Sequence, residues 1–310
     1  MDTPALDTIM RQQGGVARRR DLLRVLSAVD IAAALTDGRL VELSRARYSS
    51  HDVSGDLATA HAAGGVLGGL SAAQHWGWAV KHEPARPVVI VPRNRSLVRD
   101  DLDVRRRDLP EGSVDGAVLT RAHTVIDCAR TLPFDEALSV ADSALRSGRV
   151  RRRDLLACAH ASPRSGRPRA VRVAELADPR ADNPFESVTR GIALEVPGLR
   201  VEPQVQIGSI GRVDLADLEL KIAIECESWA YHGGAQPFRV DVRRYTRLVC
   251  SGWLVVRFVW EDVMHRPARV RADLEAVVDI RRGQLAGRAR DTVRGDQPVA
   301  RRETPRLATS

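Results

Sequence analysis

An apolar run that ends in alternating acids constrains this chain more than any other feature. Residues 212–227 read RVDLADLELKIAIECE. With a reversal near Asp217 to Leu220 the segment becomes a β-hairpin. Asp214 then lies roughly opposite Glu225, and the two-residue period of a strand sends Glu225 and Glu227 to one face. Three carboxylates would share one small space, where like charges raise each other's pKa and cost stability unless a cation or water compensates. Carboxylates with open coordination positions suit Mg2+ or Mn2+, which activate water and offset charge at a phosphodiester under in-line attack. The competing reading is an exposed hairpin edge whose acids are merely solvated.

The flanks add to the first reading. Upstream, Asn183 reads as a helix N-cap, Pro184 as its first turn and Glu186 as the residue three past the cap. Glu186 reads equally well as a capping-box acid. Downstream, His232 follows Glu227 by five residues and is a candidate general acid or base with a pKa in reach of neutrality. Arg243, Arg244 and Arg247 recur at helical spacing, either as guanidiniums presented to phosphate or as a solvated helix face. Ser251-Gly252-Trp253 then leads into a β-branched and aromatic strand over residues 254–260.

A glutamate-bearing helix, an acid-bearing hairpin, an acid pair followed by a histidine, a basic helix and a Gly-Trp strand ending in Glu261-Asp262-Val263 occur here in one order. That order resembles the DUF559 proteins, relatives of the very-short-patch-repair endonucleases within the PD-(D/E)XK nuclease superfamily, over about residues 180 to 282. The resemblance implies that Asp214 and Glu225 are ligands of Mg2+ or Mn2+. It implies that Glu227 stands where the superfamily has a lysine, that His232 assists proton transfer, and that Glu186 is the helix acid beside metal-bound water. The chain departs from the family at Glu227-Ser228, where the family often has Asp-Gly. A ligand misplaced by about an ångström costs roughly a hundredfold in rate.

The first 50 residues read as three short helices and a hairpin. Leu6, Ile9 and Met10 form an apolar stripe, Gly14-Gly15 breaks it, and residues 18–26 make the second helix. Ser27 and Asp30 open a third helix over residues 28–35 as a capping box, Asp37-Gly38 ends it, and residues 39–48 form a two-stranded wing carrying Arg39, Arg45 and Arg47. The layout is that of a winged helix-turn-helix, in which the wing arginines meet DNA phosphates. It is similar to the N-terminal domain of AbiEi-type antitoxins, transcriptional autorepressors, and the likeness continues to about residue 150. The third helix offers few base-reading side chains, so a winged helix used for packing or protein contacts stays open.

Residues 51–160 read as a mixed α/β region with a strand at residues 87–92 and an amphipathic helix over residues 134–146. Residues 161–178, with Pro163, Gly166 and Pro168, read as a linker. Residues 179–282 form the nuclease-like domain, and residues 283–310 a disordered tail. The fold class is therefore α/β: an N-terminal winged helix with a small α/β domain, then a restriction-endonuclease-like mixed sheet flanked by helices.

The net charge of +8 favours a polyanionic partner, although the excess is carried almost wholly by arginine. Four scattered cysteines give neither a disulfide framework nor a zinc site, and Cys226 is expected to point away from the acids into the core. No run approaches eighteen apolar residues and no signal-peptide pattern is present, so a cytoplasmic protein with no membrane contact is expected.

The function expected is metal-dependent DNA endonuclease or nickase activity. The alternative is a non-enzymatic, antitoxin-type DNA-binding regulator with a degenerate nuclease fold. RNA as substrate, and a cognate toxin or repair partner, remain open, as does the oligomeric state. An acid constellation with room for a metal favours the enzyme, and an arginine-plugged one favours the regulator.

Overall fold

The computed structural model describes residues 3–227 and 235–295. The chain is α/β, and its first unit has the layout expected of a winged helix. It comprises α1 (Thr3–Gln12), β1 (Val16–Arg18), α2 (Arg19–Leu22), α3 (Ala28–Thr36), β2 (Val41–Ser44) and β3 (Arg47–Ser49). Leu6, Ile9 and Met10 pack on Leu22, Ile31, Leu40 and Tyr48. The capping box is present: Asp30 N donates to Ser27 Oγ and Ser27 N to Asp30 Oδ2, so two otherwise orphaned donors at the helix start are satisfied. One expectation changes. Arg18, expected to open a second helix over residues 18–26, instead ends a strand, because Val16, Ala17 and Arg18 pair with Ser49, Tyr48 and Arg47, giving a three-stranded sheet in the order β1-β3-β2, and the helix is confined to Arg19–Leu22.

The second unit contains α4 (Gly55–Ala62), β4 (Val66–Leu67), α5 (Gly69–His75), β5 (Val88–Val91), β6 (Asp103–Arg106), β7 (Val114–Asp115) and β8 (Val118–Leu119). Its five strands run in the order β6-β5-β4-β8-β7. Four helices follow, α6 (Arg121–Thr131), α7 (Phe134–Arg146), α8 (Arg152–Ala161) and α9 (Arg167–Leu176).

The segment expected to be a linker is mostly α9. Its Ala170, Val173 and Ala174 are buried against Val125, Ala129, Ala141 and Leu155. The chain-breaking residues make a turn between two packed helices: Gly166 takes φ 77, and Pro168 sits in the first turn of α9, where a missing N–H leaves no bond unmade.

The third unit is α10 (Pro184–Ala193), β9 (Glu202–Ile207), β10 (Gly211–Asp217), β11 (Ile222–Glu227), α11 (Ala235–Cys250), β12 (Leu254–Val259), α12 (Trp260–His265) and α13 (Pro267–Gly295). Its sheet order is β12-β11-β10-β9. The first three strands form an antiparallel meander, and β12 returns parallel to β11 through α11. Phe185, Val188 and Ile192 of α10 pack with Leu215, Ile224, Phe258, Val263 and Leu274 in one cluster, while Leu248 of α11 packs with Val213 and Ala223 in another.

Helix α13 continues past residue 283, where a disordered tail was expected to begin. Buried Arg281 anchors it by donating to Leu220 O and Gly252 O, and the Arg-, Gln-, Leu- and Ala-rich sequence that follows has good helix propensity without needing an apolar stripe. The second and third units are joined by a buried ion pair, Arg190 Nη2 of α10 lying 2.7 and 2.8 Å from the two carboxylate oxygens of Asp142 on α7. Among the described residues no helix is long and apolar enough to cross a membrane.

Candidate functional site

The hairpin forms as its sequence implies. Asp217 closes the reversal by accepting from Leu220 N at 2.8 Å and from Arg200 N at 2.7 Å, and Lys221 takes the left-handed φ of 49. Leu215 pairs with Ile224, so Asp214 stands opposite Glu225 on the neighbouring strand. Asp214 Oδ2 accepts from Cys226 N at 2.8 Å. Cys226 packs against the α10 core cluster, its thiol 3.3 Å from Thr189 Oγ1, but it is only partly buried and lines the acid cavity as well, so it does not point wholly away from the acids as expected.

Glu186 stands three residues past the N-cap and lines the acid cavity. Its backbone N donates to Asn183 Oδ1, which is the N-cap bond. Its carboxylate accepts from Asp182 N, Asn183 Nδ2 and Gln204 Nε2 at 2.7 to 2.9 Å, while the group lines the same cavity as Asp214 and Glu225. Gln204 was not foreseen. Its flanking register pairs, Val205 with Val213 and Pro203 with Leu215, set it across from Asp214, where it adopts φ 55. Left-handed backbone at a non-glycine residue costs on the order of 1–3 kcal/mol and clusters at functional sites.

Glu227 faces a different set of partners. Its Oε1 accepts from Tyr245 Oη at 2.5 Å and from Arg257 Nε at 2.8 Å. Arg257 reaches it because β12 runs parallel to β11, and its guanidinium also lies 4.4 Å from the Tyr245 ring centroid.

The basic helix turns its arginines in different directions. Arg244 turns inward, donates to Arg212 O at 2.7 Å and places Nη1 3.0 Å from Glu225 Oε1. That contact is an ion pair without hydrogen-bond alignment, and the buried Glu225 Oε1 accepts no hydrogen bond. Arg243 and Arg247 are exposed, with Arg247 3.4 Å from Ser209 Oγ. Of the two or three guanidiniums expected to face phosphate or solvent, Arg243 and Arg247 are exposed and helix rotation puts Arg244 against the acids.

These groups enclose a cavity of about 770 Å3. Among the described residues it is lined by the acids Asp182, Glu186, Asp214, Glu225, Glu227 and Asp241 against the bases Lys81, Arg212 and Arg244. Burial pushes Glu225 up to about 8, with Asp214 adding to the shift and Arg244 opposing it. Burial likewise raises Asp214 and Glu186 above the usual carboxylate range. The all-oxygen donor set fits a hard divalent cation, which would have to displace Arg244 from its ion pair with Glu225 Oε1. Among the described residues, however, no three His, Cys, Asp or Glu side chains stand together in a coordinating arrangement. His232 lies outside the described residues.

The wing arginines also separate. Arg39 pairs with Asp37 at 3.5 Å, Arg45 is exposed at the turn, and Arg47 is half-buried among other arginines.

No family model matches the chain. It is 32% identical over 180 residues to two Mycobacterium tuberculosis proteins, Uncharacterized protein MT2308 of strain CDC 1551 / Oshkosh and Uncharacterized protein Rv2248 of strain ATCC 25618 / H37Rv. The match takes in 56% of this chain and spans 66% of the length of each relative. The crystal structure of the Rv2827c protein from Mycobacterium tuberculosis covers 61% of this chain and 78% of its own, at a TM-score of 0.31 and 17% identity. A likeness that low carries no argument about fold or function.

Proposed function

We propose that the C-terminal unit is a divalent-metal-dependent phosphodiester hydrolase acting on DNA in the cytoplasm, with Asp214 and Glu225 as the residues that hold Mg2+ or Mn2+. The observation that carries this reading is Glu225. It is buried opposite Asp214, its Oε1 accepts no hydrogen bond, and its pKa is pushed to about 8 even with Arg244 beside it. Holding several acids in one partly buried cavity costs stability, and a single arginine offsets only part of that cost. The resemblance to the DUF559 and very-short-patch-repair nucleases supports the same assignment.

A bound divalent cation would supply activation of water and neutralisation of charge on the phosphodiester. The protein's own groups do the rest. Glu186, fixed by three donors, holds the acid side of the cavity, and Tyr245 and Arg257 keep Glu227 oriented toward α11 and β12. Arg212 and Lys81 put positive charge on the cavity wall, where a phosphate backbone would approach. His232 remains the proposed general acid or base. Incubation of the full chain with supercoiled DNA, and with RNA, in Mg2+, Mn2+ or EDTA tests the proposal. Nicking that needs metal and disappears in Asp214→Asn supports it.

A second reading has its own observation. Arg244 occupies the acid cluster, the arrangement expected of a nuclease fold kept for binding in an antitoxin-type regulator with a toxin or repair partner. Tight binding to the chain's own promoter DNA with no cleavage of any substrate would favour it.

A further inference from the structure

Arg18 and Arg47 are direct cross-strand partners on β1 and β3. Like charges placed opposite each other on antiparallel strands destabilise a sheet. A third guanidinium joins them from another unit. Arg95, in the segment between β5 and β6, donates from Nη1 to Gly64 O at 2.7 Å. Arg95 Nη1 and Arg47 Nη2 both lie within 2.5 Å of the point where a Cβ on Gly64 would sit, so the two guanidiniums are neighbours. Arg106 braces this segment by donating to Arg95 O and Leu97 O.

Among the described residues, none of the three arginines forms an ion pair. Asp21 on the adjoining helix is already shared by Arg20 and Arg24 at 3.6 Å. Burial, followed by the charges of Arg18, Arg95 and Arg20, pulls Arg47 below the usual guanidinium range. With Arg47 and Arg95 half-buried and Arg18 exposed beside them, the group is the electrostatic converse of the acid cavity.

We infer that Arg18, Arg47 and Arg95 form a phosphate-binding site across the seam between the winged helix and the second unit. Guanidinium forks match phosphate oxygens bidentately, and two or three of them converge here on one small area. The site differs from the wing contact expected from sequence: Arg39 and Arg45 take no part, and Arg18 and Arg95 replace them. It does not depend on the acid cavity or on catalysis. The phosphate group is either that of a nucleic-acid backbone or free phosphate.

Fluorescence anisotropy of a labelled 20-base-pair duplex, titrated with the full chain in EDTA over a salt series, tests the first source. Thermal melting with millimolar inorganic phosphate tests the second. For duplex binding, each of Arg47→Ala and Arg95→Ala should flatten the plot of log affinity against log salt by about 0.9, the value of one phosphate contact. The double variant should flatten it by about twice that, whereas Arg149→Ala, at an exposed position, should leave it unchanged. Without ligand Arg47→Ala should melt no lower than the wild type, since repulsion is removed and no hydrogen bond is lost, so its weaker binding cannot be put down to unfolding; Arg95→Ala also loses its bond to Gly64 O and is read by its salt slope. If the duplex is indifferent but phosphate raises the wild-type melting temperature and not that of Arg47→Ala, the site takes free phosphate. Equal duplex affinity and salt slope in wild type and double variant, together with no phosphate-dependent difference in melting, would overturn the inference.

Discussion

Arg244 Nη1 stands 3.0 Å from Glu225 Oε1, on a carboxylate that directly faces Asp214 across the hairpin. The guanidinium brings one positive charge to a site where Glu186, Asp214 and Glu225 are all driven by burial toward their protonated forms. Arg244 is thus a partial counterion, held near Glu225 by its bond to Arg212 O. The chemistry proposed for the cavity turns on whether a divalent cation displaces it.

The metal-free protein should lose stability as pH rises from about 5 to about 8. Glu225 has a folded pKa near 8, above its ordinary 4.5, so the native state binds more protons than the unfolded chain in that window. Its favourable contribution is complete below the unfolded value and is lost as pH climbs through the folded one. Asp214 and Glu186 are shifted the same way and add to the slope. Denaturant midpoints at pH 5, 6.5 and 8 in EDTA measure it, and Glu225→Gln should flatten the trend.

Saturating Mn2+ should raise the stability of the full chain at pH 7.5. A ligand at about a hundred times its dissociation constant contributes roughly 2.7 kcal/mol when it binds only the folded state. Thermal melts with Mn2+ and with EDTA should separate for the wild type and coincide for Asp214→Ala.

Breaking the pair between α7 and α10 should destabilise the whole molecule. Asp142 is fully buried, and its loss leaves Arg190 charged in the interior. Removing one partner of such a pair costs about 3–5 kcal/mol. Urea unfolding of Asp142→Ala measures this, and a midpoint equal to that of wild type would show that the junction between the units carries little load. The same pair means that a fragment starting near residue 179 would lack a native contact of α10.

Local signals were legible in the sequence and non-local ones were not. The capping groups at Ser27 and Asn183 and the opposition of Asp214 and Glu225 follow from spacing within a few residues of a turn or helix end. Residues 16–18 have helical neighbours, and only pairing with residues 47–49 makes them a strand. The breakers around Gly166 mark a chain reversal, but nothing in them shows that Ala170, Val173 and Ala174 will be buried against Val125, Ala129, Ala141 and Leu155 of the three preceding helices. At the site, the periodicity of Arg243, Arg244 and Arg247 identifies a basic helix without saying which residue faces the sheet. The tie from Arg257 to Glu227 needs the parallel register of β11 and β12, and Gln204 enters only through its pairing position beside Asp214.

Tyr245→Phe should remove the phenol donor to Glu227 while leaving the fold intact, since only a hydroxyl is lost. If Glu227 must be held for turnover, metal-dependent nicking should fall by roughly tenfold, the equivalent of about 1.4 kcal/mol. Single-turnover rates on supercoiled DNA give the answer.

The most direct test of the cation site is calorimetric titration of Mn2+ into the full chain at pH 7.5. Wild type should bind, Asp214→Asn and Glu225→Gln should show no saturable heat, and Arg244→Ala should bind more tightly than wild type because a competing positive charge has been removed. Absence of binding to the wild type, or binding that is unchanged in Asp214→Asn and Glu225→Gln, would contradict the assignment of Asp214 and Glu225.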